Sequence, residues 1–419
     1  MADKKISIGI IGFGGRGKSM AKASVPFSDK VYINAVAEPA ENRRRDAIEI
    51  YNVPEENVFS DYKDFLAKGV IADLLFITTM DTMHYEPLMM ALDIGYKYIV
   101  LEKPISTDIN ECIEMAKKAK EKNANVIILH SMRYNVFYRK MKELVESGEI
   151  GEVMNVRHIE GASLMNYSHS FVRGNFANTE RSAPFITQKS CHDMDILTYV
   201  TGLKYKKIFA FGGLSYFVGD RAPEGSAERC IDCKYKNDCR FSGFEMYTKS
   251  YHQPWIDGAV HLHGYPNLEE AMAKGQYGRC VWKCDNNVMD HQAITFEFEN
   301  GGMGTFTLTA FDGGRKTEII GTHGVMYANE STGVIEIHGQ IGIDNPKIFD
   351  TKSTAHATID HYNTDILLMS ELIAFINEGD STNLSFIEGA VHSHFACFAA
   401  EISREEERVV YINSLTEDK

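Results

Sequence analysis

The apolar positions of the first hundred residues fall in short runs separated by longer stretches with helical spacing. Ile6 to Ile11 is a compact apolar strand, and an Ala-, Met- and Lys-rich helical stretch follows a glycine turn. A second run, Val31 to Ala37, ends at Glu38 and leads into a charged helical segment, Glu41 to Tyr51. The pattern then predicts a strand over Ala72 to Thr78, a helix over His84 to Ile94 and a strand over Lys97 to Leu101. Strands alternating with helices of about 10–15 residues predict right-handed βαβ units and a doubly wound parallel sheet. Far downstream, Ala293 to Phe298 alternates as a strand does.

Composition narrows the class. A chain of 419 residues exceeds one ordinary core, so two domains are expected. A hydrophobic share of 44% and a charged share of 24% are ordinary for a globular protein. The net charge of −14 leaves no basic face to neutralise phosphates, which argues against a nucleic-acid partner. Glycines interrupt the apolar N-terminal run and no small-residue cleavage site follows, so it reads as a strand rather than a signal peptide. No apolar run approaches the ~18 residues of a membrane span. Eight cysteines spread over so long a chain do not resemble a disulfide scaffold, and a reducing, cytoplasmic setting is the simplest expectation.

The first turn, Gly12-Phe13-Gly14-Gly15-Arg16-Gly17, carries the first candidate chemistry. Alone, Gly-x-Gly-x-x-Gly says little. Here it joins a strand to a helix and an acidic residue closes the next strand, which is the dinucleotide-binding fingerprint of a Rossmann domain. Gly12 permits the tight turn, Gly14 lets the backbone approach a pyrophosphate, and Gly17 allows close helix–strand packing. The helix N-terminus offers N–H groups and partial positive charge to the phosphates. Glu38 is expected to accept ribose hydroxyls and repel a 2′-phosphate, which favours NAD. Arg43, with Arg44 and Arg45 beside it, could accommodate that phosphate, so NADP stays open. At Leu101-Glu102-Lys103-Pro104 a strand ends in a charged pair, placing Lys103 in the cofactor crevice beyond the strand end. There it could bind a substrate hydroxyl and help remove its proton as hydride leaves. An isolated Glu-Lys-Pro would read better as a surface pair before a turn.

These motifs do not stand alone. With Thr78-Thr79-Met80-Asp81-Thr82-Met83-His84, Arg133-Tyr134, the stretch from Ser147 to Val153, Cys191-His192-Asp193-Met194-Asp195 and Gly321-Thr322-His323-Gly324, they resemble the Gfo/Idh/MocA family of oxidoreductases. The resemblance runs over nearly the whole chain. It implies a Rossmann domain, 1–130, and a C-terminal α/β domain, 131–419, with a large, open, mostly antiparallel sheet that commonly forms the oligomer contact. A homo-oligomer, dimer or tetramer, is therefore expected. The resemblance also implies NAD(P)-linked hydride transfer at a hydroxyl-bearing carbon of a sugar, sugar derivative or cyclitol, with Lys103 and His192 at the matching catalytic positions. Thr79, His84 and Glu102 then fall among the cofactor contacts, and Arg133, Tyr134 and Asp195 among the substrate contacts.

One departure matters. Inositol-dehydrogenase-type members carry an aspartate four residues before the histidine, and here that position is Gln188, followed by Lys189. An amide cannot act as a base, so the proton relay must differ, with Lys189, Asp193 or Asp195 as contributors. His192 falls at the start of an expected helix whose apolar residues Met194, Leu197 and Val200 repeat at helical spacing. Histidine is the side chain best poised to exchange a proton near neutral pH, although a capping or core histidine would show the same local pattern. Arg173 and Asn175, in a Gly-containing loop, suit a substrate carboxylate or hydroxyls, and His291 falls before a strand mouth. The same residues would suit a solvated loop.

Cys230-x2-Cys233-x5-Cys239 lies in a polar insert around 225–290 that lacks the apolar periodicity for a core of its own. The spacing is that of a structural tetrahedral zinc site, with Cys230, Cys233 and Cys239 as ligands and Cys284 as the fourth, or Cys280 in its place. Free thiols or a redox pair are the other readings. Cys112, Cys191 and Cys397 read as core. Two other functions stay open: a lyase or glycosidase that oxidises a sugar only transiently, and a non-catalytic NAD-binding sensor.

Overall fold

Six apolar runs form the first sheet: β1 (Ile6–Ile11), β2 (Val31–Ala37), β3 (Val58–Phe59), β4 (Leu74–Ile77), β5 (Tyr98–Leu101) and β6 (Asn125–Ile128). All pairs are parallel, in the order β3-β2-β1-β4-β5-β6. The order reverses between β1 and β4, which opens a crevice beyond the strand ends. Every residue of β1 and β4 is buried, as parallel strands covered on both faces require. Asp108 and Asn135 cap the helices Ile109–Glu121 and Val136–Glu146 through their carboxylate and amide oxygens, and Gly95 ends Tyr85–Ile94 in the left-handed region at φ 104°. The expected elements recur within two residues of their bounds. This computed structural model describes residues 5–248, 256, 258–341, 345–353 and 361–416.

The second sheet has nine strands: β7 (Val153–Ala162), β8 (Tyr205–Gly213), β9 (His291–Phe298), β10 (Met303–Thr309), β11 (Gly313–Gly321), β12 (Gly324–Asn329), β13 (Val334–Gly339), β14 (Lys347–Asp350) and β15 (Val410–Tyr411). Their order is β14-β13-β12-β11-β7-β10-β9-β8-β15, antiparallel throughout except for β7 beside β10. In β9, Gln292, Ile294, Phe296 and Phe298 point inward and His291, Ala293 and Thr295 outward. The inner face packs on the helices Phe185–Thr201 and Ile387–Glu406. On the outer face Phe211 and Met303 stand 64% and 53% exposed.

One contact crosses between the two sheets' domains, and one expectation changes. The C-terminal part of 131–419 returns to the first domain: Leu368, Met369, Leu372 and Ile373 of the helix His361–Glu378 share a core with Ile6, Ile8 and Met20. The insert around 225–290 does have a small core, made of Met246, Tyr247, Ala271, Met272 and Tyr277. Its apolar residues are dispersed over several turns, which hides them from a periodicity reading. Residues 249–255 and 257 of the insert lie outside the described residues. Among the described residues no helix is long and apolar enough to cross a membrane.

Candidate active site

The glycine turn has the geometry its residues suggest. Gly12 sits at φ +89°, and a Cβ there would come within 2.7 Å of the Thr78 carbonyl. A Cβ on Gly17 would strike the Gly12 carbonyl at 2.2 Å, so helix and turn pack without room for a side chain. A Cβ on Gly14 would meet only the Arg43 guanidinium, at 3.6 Å, and the helix Gly15–Ser24 that follows has no side-chain cap. Uncapped N–H groups behind an unobstructed glycine suit a pyrophosphate. Arg16 is held by a bidentate pair with Asp365, at 2.6 and 2.8 Å, and Ser19 donates to the same carboxylate. Asp365 comes from the far end of the chain and has no local sequence signal.

Glu38 departs from expectation. Its carboxylate is turned into the turn, accepting from the N–H groups of Phe13 (2.8 Å) and Ala40 (3.0 Å) and pairing with Arg43 at 3.3 Å. It is buried, so it braces the loop and leaves the Arg43 guanidinium nearer to Gly14. Glu102 provides the complementary feature. Its Oε2 is buried without a hydrogen-bond partner among the described residues, at the wall of the crevice.

Between the two sheets lies a cleft of about 1060 Å³. Gly15, Arg16, Glu102 and Lys103 line its nucleotide side; Gln188, Lys189, His192, Asn166 and Arg315 line the opposite wall. Lys103 and His192 therefore face one space. Lys103 Nζ donates to the Gln188 carbonyl at 2.8 Å, one helical turn before His192. His192 lies in the middle of the helix Phe185–Thr201 rather than at its start, because the helix begins just after Pro184. The loop carrying Lys103 is pinned twice: His84 Nδ1 bonds the Pro104 carbonyl at 2.8 Å, and His394 Nε2 accepts the Ile105 N–H at 3.0 Å.

Lys189 also faces the cleft, with Nζ 3.3 Å from Glu160. Arg315 organises the wall behind it, pairing with Asp193 at 2.6 Å and Glu160 at 2.9 Å and approaching Glu330 at 3.5 Å. Burial would push the Asp193 carboxyl up, but Arg315 and His158 more than reverse this and hold it below the usual carboxylate range. Arg315, Glu330, Asn166, Ser331 and Lys352 also line the cleft; they come from separate elements of the second domain, and no local motif marks them.

Several expected contacts lie elsewhere. His84 is buried as a brace between the Pro104 and Thr79 carbonyls, and Thr79 spends its hydroxyl on the Met83 carbonyl. Asp195 is buried one layer behind the cleft, bound bidentately by Arg133 at 2.7 and 2.6 Å and by His130 at 3.0 Å. Burial would push its carboxyl up, but Arg133 and His130 together more than reverse this and hold it below the usual carboxylate range. Tyr134 is fully buried, and the group forms an ion-pair network behind the cleft wall. Asp193 and Asp195 both have their carboxylate oxygens engaged by cationic or histidine partners. Arg173 is buried in the cysteine insert, Asn175 lies in a neighbouring groove against Gln276, and His291 sits half-exposed beside Asp290, at 2.6 Å, away from the cleft. Of the cysteines, Cys280 and not Cys284 joins Cys230, Cys233 and Cys239 around a second, small void, while the Cys284 thiol donates to the Cys280 carbonyl at 3.2 Å.

Among the described residues, one trio of ligand-type side chains lies within 4.8 Å: His130, Cys191 and His394. Both His394 nitrogens are engaged, by the Ile105 N–H and the Ala390 carbonyl, and burial depresses its pKa to about 3. Burial also pushes the Cys191 thiol up to about 12. This trio packs against His192, whose ring lies 5.8 Å from that of His130.

Comparison with known proteins places the architecture. Residues 6–130 match the model of an oxidoreductase family with an NAD-binding Rossmann fold, and residues 138–228 match that of the GFO/IDH/MocA C-terminal domain. An uncharacterized oxidoreductase of Bacillus subtilis, YrbE, is 26% identical over 209 residues, which is 50% of this chain and 58% of the relative. The inositol 2-dehydrogenase of Corynebacterium glutamicum is 25% identical over 202 residues, 48% of this chain and 55% of the relative. The 2,7-anhydro-N-acetylneuraminate hydratase of Escherichia coli is 26% identical over 150 residues, 36% and 38% of the two chains. The chain thus spans less than two thirds of the length of these relatives. A crystal structure of an Agrobacterium radiobacter oxidoreductase in complex with NAD+, L-tartaric acid and magnesium superposes with TM-score 0.70 at 15% identity, covering 98% of this chain and 100% of that one. That of scyllo-inositol dehydrogenase from Lactobacillus casei with NAD(H) and scyllo-inositol gives 0.66 at 21% identity, covering 98% and 100%. At these identities the likeness is one of fold. With both family models matched in order along a chain that has this two-sheet architecture, the chain belongs to the Gfo/Idh/MocA family of oxidoreductases.

Proposed function

We propose that this protein is an NAD-dependent oxidoreductase that moves a hydride between the nicotinamide and a hydroxyl-bearing carbon of a polyol or cyclitol. The observation that carries the reading is the shared cleft: a dinucleotide turn on one wall, and Lys103 and His192 converging from opposite sides. The turn fits the cofactor, since Gly14 is unobstructed, the helix behind it is uncapped, and Glu102 Oε2 is an unused acceptor suited to a ribose hydroxyl. When bound, the nicotinamide supplies the hydride acceptor. His192 takes the proton of the substrate hydroxyl, a transfer suited to an imidazole near neutral pH. Lys103, fixed by the Gln188 carbonyl, presents an N–H to the same oxygen as negative charge develops there. Lys189, Asn166, Arg315 and Glu330 offer donors and acceptors that suit several hydroxyls, and relatives named inositol dehydrogenases point to the same substrate class.

A second reading rests on the hydratase among the relatives: redox at one carbon that is transient and enables elimination. Following nicotinamide absorbance against a panel of inositols and hexoses, with products analysed for bond cleavage, separates the two. Net NADH formation without cleavage supports the proposal; cleavage without net NADH replaces it with the second reading; neither activity, with NAD bound, leaves a sensor. NAD is proposed over NADP because the Glu38 carboxylate, although bonded to the Phe13 and Ala40 N–H groups, also pairs with Arg43 and so competes with a 2′-phosphate for that guanidinium. The eight free cysteines support a reducing, cytoplasmic setting, and the open face around Phe211 and Met303 supports a homo-oligomer.

A further inference from the structure

The cysteine insert holds a second built site, unconnected with hydride transfer. An isolated antiparallel bridge between Arg229 and Arg279, with Cys280 N–H donating to the Glu228 carbonyl at 2.8 Å, sets Cys280 beside Cys230. A turn closed by Cys233 N–H on the Cys230 carbonyl, and another closed by Cys239 N–H on the Tyr235 carbonyl at 2.8 Å, bring Cys233 and Cys239 to the same void. That void measures about 30 Å³, room for one ion but not for an organic ligand.

The surroundings of the void await negative charge. Among the described residues its lining includes Arg173, Arg229 and Lys236 and not one carboxylate. Arg173 is 1% exposed, and its donors go to the Arg279 carbonyl at 2.7 Å, the Phe241 carbonyl at 2.5 Å, Met246 Sδ and, at 3.6 Å, Cys230 Sγ. Among the described residues no acid pairs with it, although a guanidinium this deep is stable only near an anion. The Gly243 N–H also points at Cys230 Sγ, at 3.4 Å. Ser242 Oγ and Trp282 Nε1 line the same void and are buried with no hydrogen-bond partner among the described residues. Neutral thiols would leave this excess of donors and cations unmatched. Four thiolates on a divalent metal carry a net charge of −2, and their sulfurs accept N–H and O–H bonds.

We infer that Cys230, Cys233, Cys239 and Cys280 bind one structural zinc ion, with Arg173 as the buried cation that balances the tetrathiolate. In the structure no three of these sulfurs lie within 4.8 Å of one another. Zn–S bonds of about 2.3 Å require sulfurs about 3.8 Å apart, so binding closes the void by side-chain rotation. Four thiolates leave no open position for a water, so the metal is structural. It fastens the segment Ser168–Arg173, whose Ser170 and Phe171 line the main cleft, to the insert.

The test is metal analysis and X-ray absorption on the full-length protein purified without chelator, together with Cys233→Ser, Cys280→Ser and Cys284→Ser. About one zinc per chain with a four-sulfur shell, lost in the first two variants and kept in Cys284→Ser, is the expected result. Zinc lost equally in Cys284→Ser overturns the ligand set. Iron with sulfide, or folded wild-type protein with far less than one equivalent of metal, overturns the proposal. Absorption on the wild type decides the shell even if a variant fails to fold.

Discussion

Replacing Asp195 by asparagine separates a structural network from a catalytic one. The carboxylate is 1% exposed and holds Arg133 through two bonds, at 2.7 and 2.6 Å, and His130 at 3.0 Å. Asparagine keeps the shape and removes the charge, leaving Arg133, itself 15% exposed, without its anion. Breaking a buried pair by neutralising one partner costs about 3–5 kcal/mol. With an unfolding entropy of about 2.1 cal/mol/K per residue, and all 419 residues unfolding together, Tm should fall by about 3–6 °C. The sign with pH follows from the depressed carboxyl. Its contribution is fully present above the unfolded value near 3.9 and is lost as pH falls through the lower folded value. The gap between wild type and variant should therefore be flat from about pH 5 to 8 and narrow on acidification. Calorimetry across pH, with kcat measured at saturation, is the assay. An unchanged Tm with kcat reduced more than a hundredfold would show that Asp195 acts on the substrate and that the buried-network assignment is wrong.

Two further outcomes are expected. Glu38→Gln should narrow the ratio of NAD to NADP affinity several-fold by removing a charge that repels a 2′-phosphate; wild-type protein that binds NADP at least as tightly in calorimetry would instead assign control to Arg43. Phe211→Glu, at a residue that stands 64% exposed on the outer sheet face, should shift the sedimentation profile toward monomer, and a monomeric wild type would rule out self-association through this face.

Much of the nucleotide-binding half was legible because its strands are continuous apolar runs and its turn needs glycine at fixed places: Gly12 for a positive φ, Gly17 for a contact that admits no Cβ. Lys103 and His192 were legible as motif positions, yet the reason they meet, a helix starting at Phe185 against the loop after β5, was not. Motif reading does not distinguish a side chain that faces a cleft from one a layer behind it: Arg133, Tyr134 and Asp195 match the family's motif, and the fold sets their ion-pair network behind the cleft wall. Arg315, Glu330 and Asp365 reach the site only through sheet pairing and a returning helix, and no local pattern marks them. The fourth cysteine shows the same limit: spacing allows Cys280 or Cys284, and the bridge between Arg229 and Arg279 selects Cys280.

The most direct measurement is single-turnover hydride transfer with NAD and a polyol substrate both saturating, in wild type, Lys103→Met and His192→Ala. Removal of a positioned acid–base group or oxyanion donor should slow the step about 10²–10⁴-fold, while NAD affinity stays within a few-fold because the glycine turn is untouched. Transfer at the wild-type rate in either variant, with cofactor bound, would contradict the assignment of this cleft as the place where the proton and the hydride leave the substrate.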